Sequence, residues 1–195
     1  MNKYVILFFF LTGFIFAQPS QSTEEQILEA IDQKQKLINS SRVKNIDFKN
    51  IGPSVMSGRV VDISVNPDDP TEFYAAFATG GLWHTKDNGI SFNSIFDNSV
   101  TQNIGEIEVH WATRTIWVGT GENNSSRSSY SGVGILKSTN NGDTWENKGL
   151  SDSHHIGKIL VNPDDPNHVI VGVTGHLYSE NNMRGIYITT DGGEN

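Results

Sequence analysis

Short apolar segments, separated by turns rich in Gly, Asn, Asp and Pro, recur along most of this chain. Residues 58–65 (GRVVDISV) alternate β-branched and polar side chains, as a half-buried strand does. With comparable segments further along the chain, this segment forms three successive groups. These are 58–65, 73–78, 81–84 and 92–96; then 104–110, 115–119, 134–137 and 144–147; then 156–161, 168–173 and 185–189. A 3.6-residue periodicity is absent from these segments. The pattern predicts two four-stranded antiparallel sheets followed by three strands of another.

One turn motif occurs at the same place in each group. It reads TKDNGISF at 85–92, STNNGDTW at 138–145 and TTDGGE at 189–194, so it repeats with a period of about 50 residues. A short side-chain oxygen can accept hydrogen bonds from the backbone of such a turn, and Gly supplies the positive φ. The period indicates a repeat architecture.

The motif resembles the Asp-box, or BNR, repeat, which lies between the third and fourth strands of a β-propeller blade. The resemblance implies structural roles for Asp87, Gly89, Asn140, Gly142, Trp145, Asp191 and Gly193. We therefore expect an all-β protein, a β-propeller of four-stranded antiparallel Asp-box blades. Blade 1 spans 58–96, blade 2 spans 104–149, and an incomplete blade 3 spans 156–195.

About three blades do not close a propeller, which ordinarily has four to eight. The chain is therefore expected to be the N-terminal piece of a longer protein whose remaining blades complete the ring. Residues 47–53 (DFKNIGP) resemble 144–150 (TWENKGL), the fourth strand of blade 2. The earlier segment is thus expected to supply the outer strand of the last blade.

The first residues predict export. Residues 1–17 combine one Lys, an apolar run of about 13 residues and a small residue, which is typical of a secretory signal peptide. Residues 18–45 read as a short helix, opened by a capping box at Thr23 and extending to about Ile38, and then a linker. The partial propeller occupies 46–195. A chain without Cys and with this leader is expected to be bacterial and secreted, periplasmic or on the cell surface, with no stable membrane insertion after cleavage.

The charge balance argues against nucleic acid as a partner. The formal net charge is −8, and the arginines are scattered rather than grouped into a basic stripe.

Loop lengths single out one face of the propeller. The second strands end in Thr-Gly at 79–80, 120–121 and 174–175, and the third strands begin at Gly81, Gly134 and Gly185. Blade 1 has no insertion there, whereas blade 2 inserts 122–133 and blade 3 inserts 176–184. In a propeller these loops share a face with the loops that lead into each first strand, and the Asp-boxes lie on the opposite face. A ligand site is expected on the insertion-bearing rim.

The candidate ligand-binding residues share that rim: Arg59, Glu122, Asn123, Arg127, Tyr130, His155, His176 and Arg184, with Glu180 beside them. Two alternatives stay open, since Arg59 could pair with a neighbouring carboxylate and Glu122 could accept backbone hydrogen bonds. We expect no cofactor. His154 and His155 could bind a metal ion together with His176, but two adjacent histidines cannot readily chelate one ion from a single strand, so no metal is expected either. Glu122, Arg127, His176 and Arg184 are expected to share one pocket.

Further motifs narrow the resemblance. IGP at 51–53, MSGRV at 56–60, WVGTGEN at 117–123 and RG at 184–185 resemble a family of secreted bacterial propellers described as sortilin-like or glycosyl-hydrolase-like. The resemblance implies a module that binds an extracellular protein, peptide or glycan, or alternatively a glycoside hydrolase of the sialidase or xyloglucanase type acting on extracellular polysaccharide. Sialidases carry an Arg-Ile-Pro signature, whereas Arg59 is followed by Val60 and Val61. Ala78 stands at the position where xyloglucanases carry a carboxylate. Binding is therefore favoured over catalysis.

An incomplete ring leaves sheet edges and blade faces uncovered, so the 195-residue chain is expected to fold poorly by itself. Thermal unfolding of a monomeric sample tests this, and a cooperative transition would contradict it.

Overall fold

The computed structural model describes residues 22–46, 58–127 and 129–195. The predicted signal peptide and the proposed closing segment 47–53 lie outside them. The described residues form one helix and eleven strands, in this order: α1 (Glu24–Ser40), β1 (Val60–Val65), β2 (Phe73–Phe77), β3 (Gly81–Thr85), β4 (Asn93–Ser94), β5 (Ile104–His110), β6 (Thr115–Thr120), β7 (Ile135–Ser138), β8 (Glu146–Asn147), β9 (Ile156–Asn162), β10 (Asp165–Val173) and β11 (Gly185–Thr189).

The strands form three separate antiparallel sheets that coincide with the three predicted blades. Blade 1 has the order β1-β2-β3-β4, blade 2 the order β5-β6-β7-β8, and blade 3 the order β9-β10-β11. The all-β prediction is confirmed, and the three sheets do not close a ring.

The motif NPDDP occurs twice, at 66–70 and at 162–166, and its two copies fold differently although their residues are identical. At 66–70 the motif is a loop in which the Glu72 amide donates to the Asp69 carbonyl (2.9 Å). At 162–166 the second strand already begins at Asp165, which pairs with Asn162, so only two residues remain in the turn. The difference follows from what comes next, because Glu72 is held in a buried hydrogen-bond network and blade 3 has His168 in its place.

Blade 2 lies between two hydrophobic cores. Its middle strand β6 is buried at all six positions. Ile116 and Val118 pack into the core shared with blade 1, and Trp117 packs into the core shared with blade 3. The alternation of strand side chains thus supplies both interfaces from one strand.

The outer faces of the end blades keep apolar side chains exposed. Ile63 of β1 is 51% exposed, and Ile186 of β11 is 76% exposed. These faces are the counterparts of the buried faces of blade 2, and nothing in the described residues covers them.

The Asp-box turns have the same hydrogen bonds in each blade. In blade 1 the Thr85 hydroxyl accepts from the Gly89 amide (3.0 Å), and the Asp87 carboxylate accepts from the Ser91 amide (2.9 Å). Ser138 and Asn140 accept equivalent bonds at 2.9 Å from the amides of Gly142 and Thr144. Each of these turns thereby satisfies two of its backbone donors with its own side chains.

The helix α1 begins at a capping box, in which Thr23 and Gln26 exchange side-chain to backbone hydrogen bonds. It has no buried residue, and its Lys34 ammonium donates to the Ser99 carbonyl (2.7 Å). Among the described residues, no helix has both the length and the apolar character needed to cross a membrane.

A buried carboxylate joins blade 1 to the loop between β5 and β6 on the Asp-box side. Glu72, 5% exposed, receives two hydrogen bonds from the Arg114 guanidinium (2.6 and 2.9 Å), one from the Asn66 amide (2.8 Å) and a contact with His84 Nε2 (2.9 Å). The Arg114 hydrogen bonds are the largest influence on its pKa. Together with Asn66 and His84 they outweigh burial and lower the pKa from 4.5 to about 2.

We predict that Glu72→Gln lowers the free energy of unfolding of the full natural protein by about 1–3 kcal/mol at pH 7, because it removes the charge that Arg114 pairs with. The pKa of Glu72 is depressed in the folded state, so its stabilisation is present above the ordinary value of 4.5 and is lost as pH falls toward about 2. Urea unfolding should therefore show the two proteins converging across that pH range. Glu24→Gln on the exposed helix is the matched control, and a difference that persists below pH 2 contradicts the assignment.

Candidate ligand-binding surface

Strand register brings the long loops of blades 2 and 3 to the same end of the strands, and each end of the strands is here called an edge of the sheets. Val60 pairs with Phe77, and Phe77 pairs with Gly81, so the β2–β3 connection lies at the edge where β1 begins. The described parts of the two insertions, 122–127 with 129–133 and 176–184, occupy the equivalent edge of blades 2 and 3, together with the lead-in loop 149–155. We call these three segments the insertion surface. The Asp-box turns lie at the opposite edge, because they follow the third strands.

A buried carboxylate paired with an exposed arginine holds the first insertion. Glu122 is completely buried, and its Oε2 lies 2.5 Å from Nη2 of Arg59, which precedes β1. Its carboxylate also accepts hydrogen bonds from the Asn124 amide (2.9 Å) and from the Ser129 hydroxyl. Both open alternatives therefore hold: Arg59 pairs with a carboxylate, and Glu122 accepts a backbone hydrogen bond of its own loop.

Hydrogen bonding decides the ionisation of Glu122. Burial has the largest effect and raises its pKa. The hydrogen bonds from Arg59, Ser129 and Asn124 together outweigh burial, so the pKa lies below its ordinary value. Glu122 is thus an ionised structural anchor at neutral pH, beneath the surface that a ligand would touch.

The lead-in loop fastens both insertions through its backbone. The His154 carbonyl accepts from the Gly132 amide (2.7 Å), and the His155 carbonyl accepts from the amides of Thr174 (3.0 Å) and Gly175 (3.2 Å). Gly121 makes this approach possible, because a Cβ there would fall 1.7 Å from the His154 carbonyl oxygen, and its φ is +84°.

The two insertions also contact one another. The Tyr178 hydroxyl donates to the Ser126 carbonyl (2.9 Å) and leaves its ring 69% exposed. Tyr130 is 56% exposed, and Arg127 is exposed on the same insertion. Arg184 is exposed, with its Nε donating to the Thr174 carbonyl (2.8 Å).

The histidines of the lead-in loop and second insertion are mostly buried. Burial lowers the pKa of His155, and its Nδ1 has no hydrogen-bond partner among the described residues. His154 stacks on His176 with ring centroids 3.6 Å apart. Burial, and then the neighbouring His176, lower the pKa of His154. His176 Nε2 lies 3.0 Å from the Asp152 carbonyl oxygen, and its Nδ1 lies 3.0 Å from the Ser179 hydroxyl.

The predicted residues thus divide into two groups. Glu122 and His155 form the buried base of the insertion surface. Asn123 is half-buried beside them, and its side-chain nitrogen would lie 2.5 Å from a Cβ on Gly157. Arg59 is exposed and pairs with Glu122. The exposed group comprises Arg127, Tyr130, Glu180 and Arg184. His176 is 8% exposed and lies against Asp152 and His154. The structure shows no direct contact of Glu122 with Arg127, His176 or Arg184, and ligand binding at these positions stays a prediction.

Sequence reasoning overlooked a second charged group, on the first strands. The Asp62 carboxylate accepts from the Ile107 amide (3.1 Å), and Lys158 of blade 3 hydrogen-bonds to Glu106 of blade 2. Burial raises the pKa of both Glu106 and Glu108. The sequence does carry a signal for this group. In the strand segment GEIEV at 105–109, the two glutamates stand two positions apart, which is the spacing of side chains on one face of a strand.

Comparisons with known proteins bear on the fold of this chain. No protein-family model matches the chain, and no curated protein matches it. An ancestral GH74 enzyme, a β-propeller protein, has a similar solved structure (TM-score 0.56, 19% identity, 75% of this chain and 18% of that chain covered). YCF48 from Cyanidioschyzon merolae (TM-score 0.48, 18% identity, 75% and 38% covered) and the GH74 enzyme of Niastella koreensis (TM-score 0.38, 13% identity, 68% and 28% covered) also match.

The chain therefore has β-propeller blades, and at these identities the likeness concerns the fold alone. It spans 18% of the length of the ancestral GH74 enzyme.

We predict that Arg59→Gln loosens the first insertion, because it leaves the buried Glu122 carboxylate without its cationic partner. Hydrogen exchange of the Asn124 amide in the full natural protein should accelerate about tenfold or more. Arg42→Gln, which changes an exposed arginine outside the blades, should leave that rate unchanged. Equal exchange rates in Arg59→Gln and the unaltered protein would show that the ion pair does not hold the loop.

Proposed function

We propose that this protein is an exported β-propeller module that binds a protein, peptide or glycan through the insertion surface. The observation that carries the proposal is the contact between the two insertions above the buried, ionised carboxylate of Glu122. Loops of this length are ordinarily mobile. Here the Arg59–Glu122 pair and the Tyr178–Ser126 hydrogen bond hold them in one arrangement.

Fixed loops lower the entropic cost of binding, since less conformational freedom is lost when the ligand arrives. The exposed side chains on this base suit recognition. Tyr130 and Tyr178 offer large, stiff aromatic rings with a polar end, and Arg127 and Arg184 supply cationic donors. Tyr and Arg are among the residues most often responsible for binding energy at interfaces.

Export is part of the proposal and rests on the sequence of residues 1–17, which has the composition of a signal peptide. The absence of Cys from the whole chain means that a folded exported form depends on packing rather than on disulfides.

A glycoside hydrolase is the second candidate, and one observation favours it. Glycosidases use a carboxyl group with a raised pKa as general acid beside a second carboxylate. Burial raises the pKa of Glu108, and Asp62, a neighbouring carboxylate, raises it further, against the opposing effect of Lys158. Glu122, in contrast, is held ionised and buried and is unsuited to proton transfer.

Binding to glycan and peptide arrays, followed by isothermal titration of any hit, tests the proposal on the full natural protein. We expect Arg127→Ala and Tyr178→Ala each to weaken binding by about tenfold or more. Ile90→Ala is the matched control, because Ile90 is 88% exposed on the Asp-box turn of blade 1, at the opposite edge of the sheets.

Each outcome separates the candidates. Binding that Ile90→Ala weakens and the two insertion variants leave intact would place the site on the wrong face and refute the proposal. Hydrolysis of a polysaccharide that Glu108→Gln abolishes would establish the glycosidase instead.

A further inference from the structure

The lead-in loop of blade 3 and the second insertion bring together three side chains of the kind that ligate metal ions. The ligand atoms of Asp152, His154 and His176 all lie within 4.8 Å of one another. Asp152 Oδ1 is 3.5 Å from His176 Nε2 and 3.8 Å from His154 Nε2. With zinc–ligand bonds of about 2.0–2.2 Å, ligand atoms in a tetrahedral shell stand about 3.3 Å apart. Two of the three spacings are therefore within about 0.5 Å of what a single ion requires.

We propose that Asp152, His154 and His176 form a binding site for a divalent transition-metal ion of the zinc class. Two imidazoles and one carboxylate are a donor set that zinc and its neighbours accept, whereas Ca²⁺ and Mg²⁺ prefer oxygen ligands alone. Three protein ligands leave at least one coordination position for water or for a group of a bound ligand.

The site does not require the adjacent residues His154 and His155 to bind the same ion. His154 has φ +56°, a left-handed conformation that is uncommon outside glycine. Its ring and that of His155 lie 6.2 Å apart and are inclined by 76°. The site pairs His154 with His176 from a different loop, so the difficulty of chelating from neighbouring positions on one strand does not arise.

Burial and access also suit an ion. The side chains of His154 and His176 are 13% and 9% exposed, while that of Asp152 is 37% exposed. Solvent therefore reaches the carboxylate, and two largely desolvated imidazoles lie behind it.

A hydrogen-bond partner for the ring nitrogen of His176 that would not bind the metal is already in position. Nε2 now donates to the Asp152 carbonyl (3.0 Å), and Nδ1 lies 3.0 Å from the Ser179 hydroxyl. Coordination through Nε2 requires the ring proton on Nδ1, and the Ser179 oxygen can accept it there, because a hydroxyl both donates and accepts. Nearly parallel rings cannot direct both lone pairs to one point, so binding must also turn one imidazole out of the stack.

The first test is Zn²⁺ titration of the full natural protein by isothermal calorimetry in a buffer that does not chelate. We expect Asp152→Asn and His176→Gln each to raise the dissociation constant at least about tenfold. The matched controls, Asp143→Asn and His168→Gln, lie outside the cluster and should leave it unchanged. Equal affinities for all five proteins would overturn the proposal, as would equal losses in the controls.

A second measurement remains informative if a variant fails to fold. In the unaltered protein, proton NMR of the histidine rings should show the resonances of His154 and His176 shifting on addition of one equivalent of Zn²⁺, since the stack opens. Those of His110 and His168 should stay in place. Shifts confined to other histidines, or none at all, would show that the ion binds elsewhere or not at all.

Discussion

The packing of each blade on its neighbours is the constraint on which this structure depends. A short antiparallel sheet with apolar side chains on both faces cannot remain exposed to water, and burying one Ile, Val or Leu side chain contributes about 1.5–3 kcal/mol. Among the described residues, blade 2 alone meets this requirement on both sides, through Ile116 and Val118 on one face and Trp117 on the other. Polar contacts reinforce the same interfaces, as in the hydrogen bond from the Trp145 indole to the Ile95 carbonyl (3.1 Å).

The two edges of the sheets carry different kinds of electrostatics. At the Asp-box edge, Glu72 is held by Arg114 in a network that joins neighbouring blades. At the opposite edge, Glu122 is held by Arg59, which leads into the first strand of blade 1, while its own loop belongs to blade 2. In both cases a buried carboxylate of one blade pairs with an arginine of the neighbouring blade, so the charges favour one arrangement of adjacent blades in addition to stabilising it.

The fold was readable from the sequence because its signals are local. Alternating strands and the Thr85/Asp87, Ser138/Asn140 and Thr189/Asp191 turns repeat at fixed spacing, and each depends on residues a few positions apart. The second NPDDP motif shows the limit, since identical letters close a two-residue turn at 163–164 and a longer loop at 66–70. What separates them is the contact of Glu72 with Arg114, 42 residues away.

The candidate site could be predicted only in part, because its contacts join residues that are distant in the sequence. Loop alignment placed Arg59, Glu122, Arg127, His176 and Arg184 at one edge, since register follows from strand periodicity. It could not distinguish the buried anchor Glu122 from the exposed Arg127, because burial depends on how the two insertions fold over one another. Asp152 went unnoticed because its contact with His176 joins residues 24 positions apart in two different loops, which no spacing rule encodes.

The self-contained Asp-box turn has a consequence for how such a chain can change over time. Because Thr85, Asp87 and Ser91 hydrogen-bond to one another within the turn, the shape of the turn depends mainly on its own residues. A stretch of about 50 residues can therefore be copied within a gene and still fold at its new place, provided that its apolar faces meet similar faces. Divergence is then free to concentrate in the loops of the other edge, where blade 1 has the shortest of connections and blades 2 and 3 have acquired their insertions.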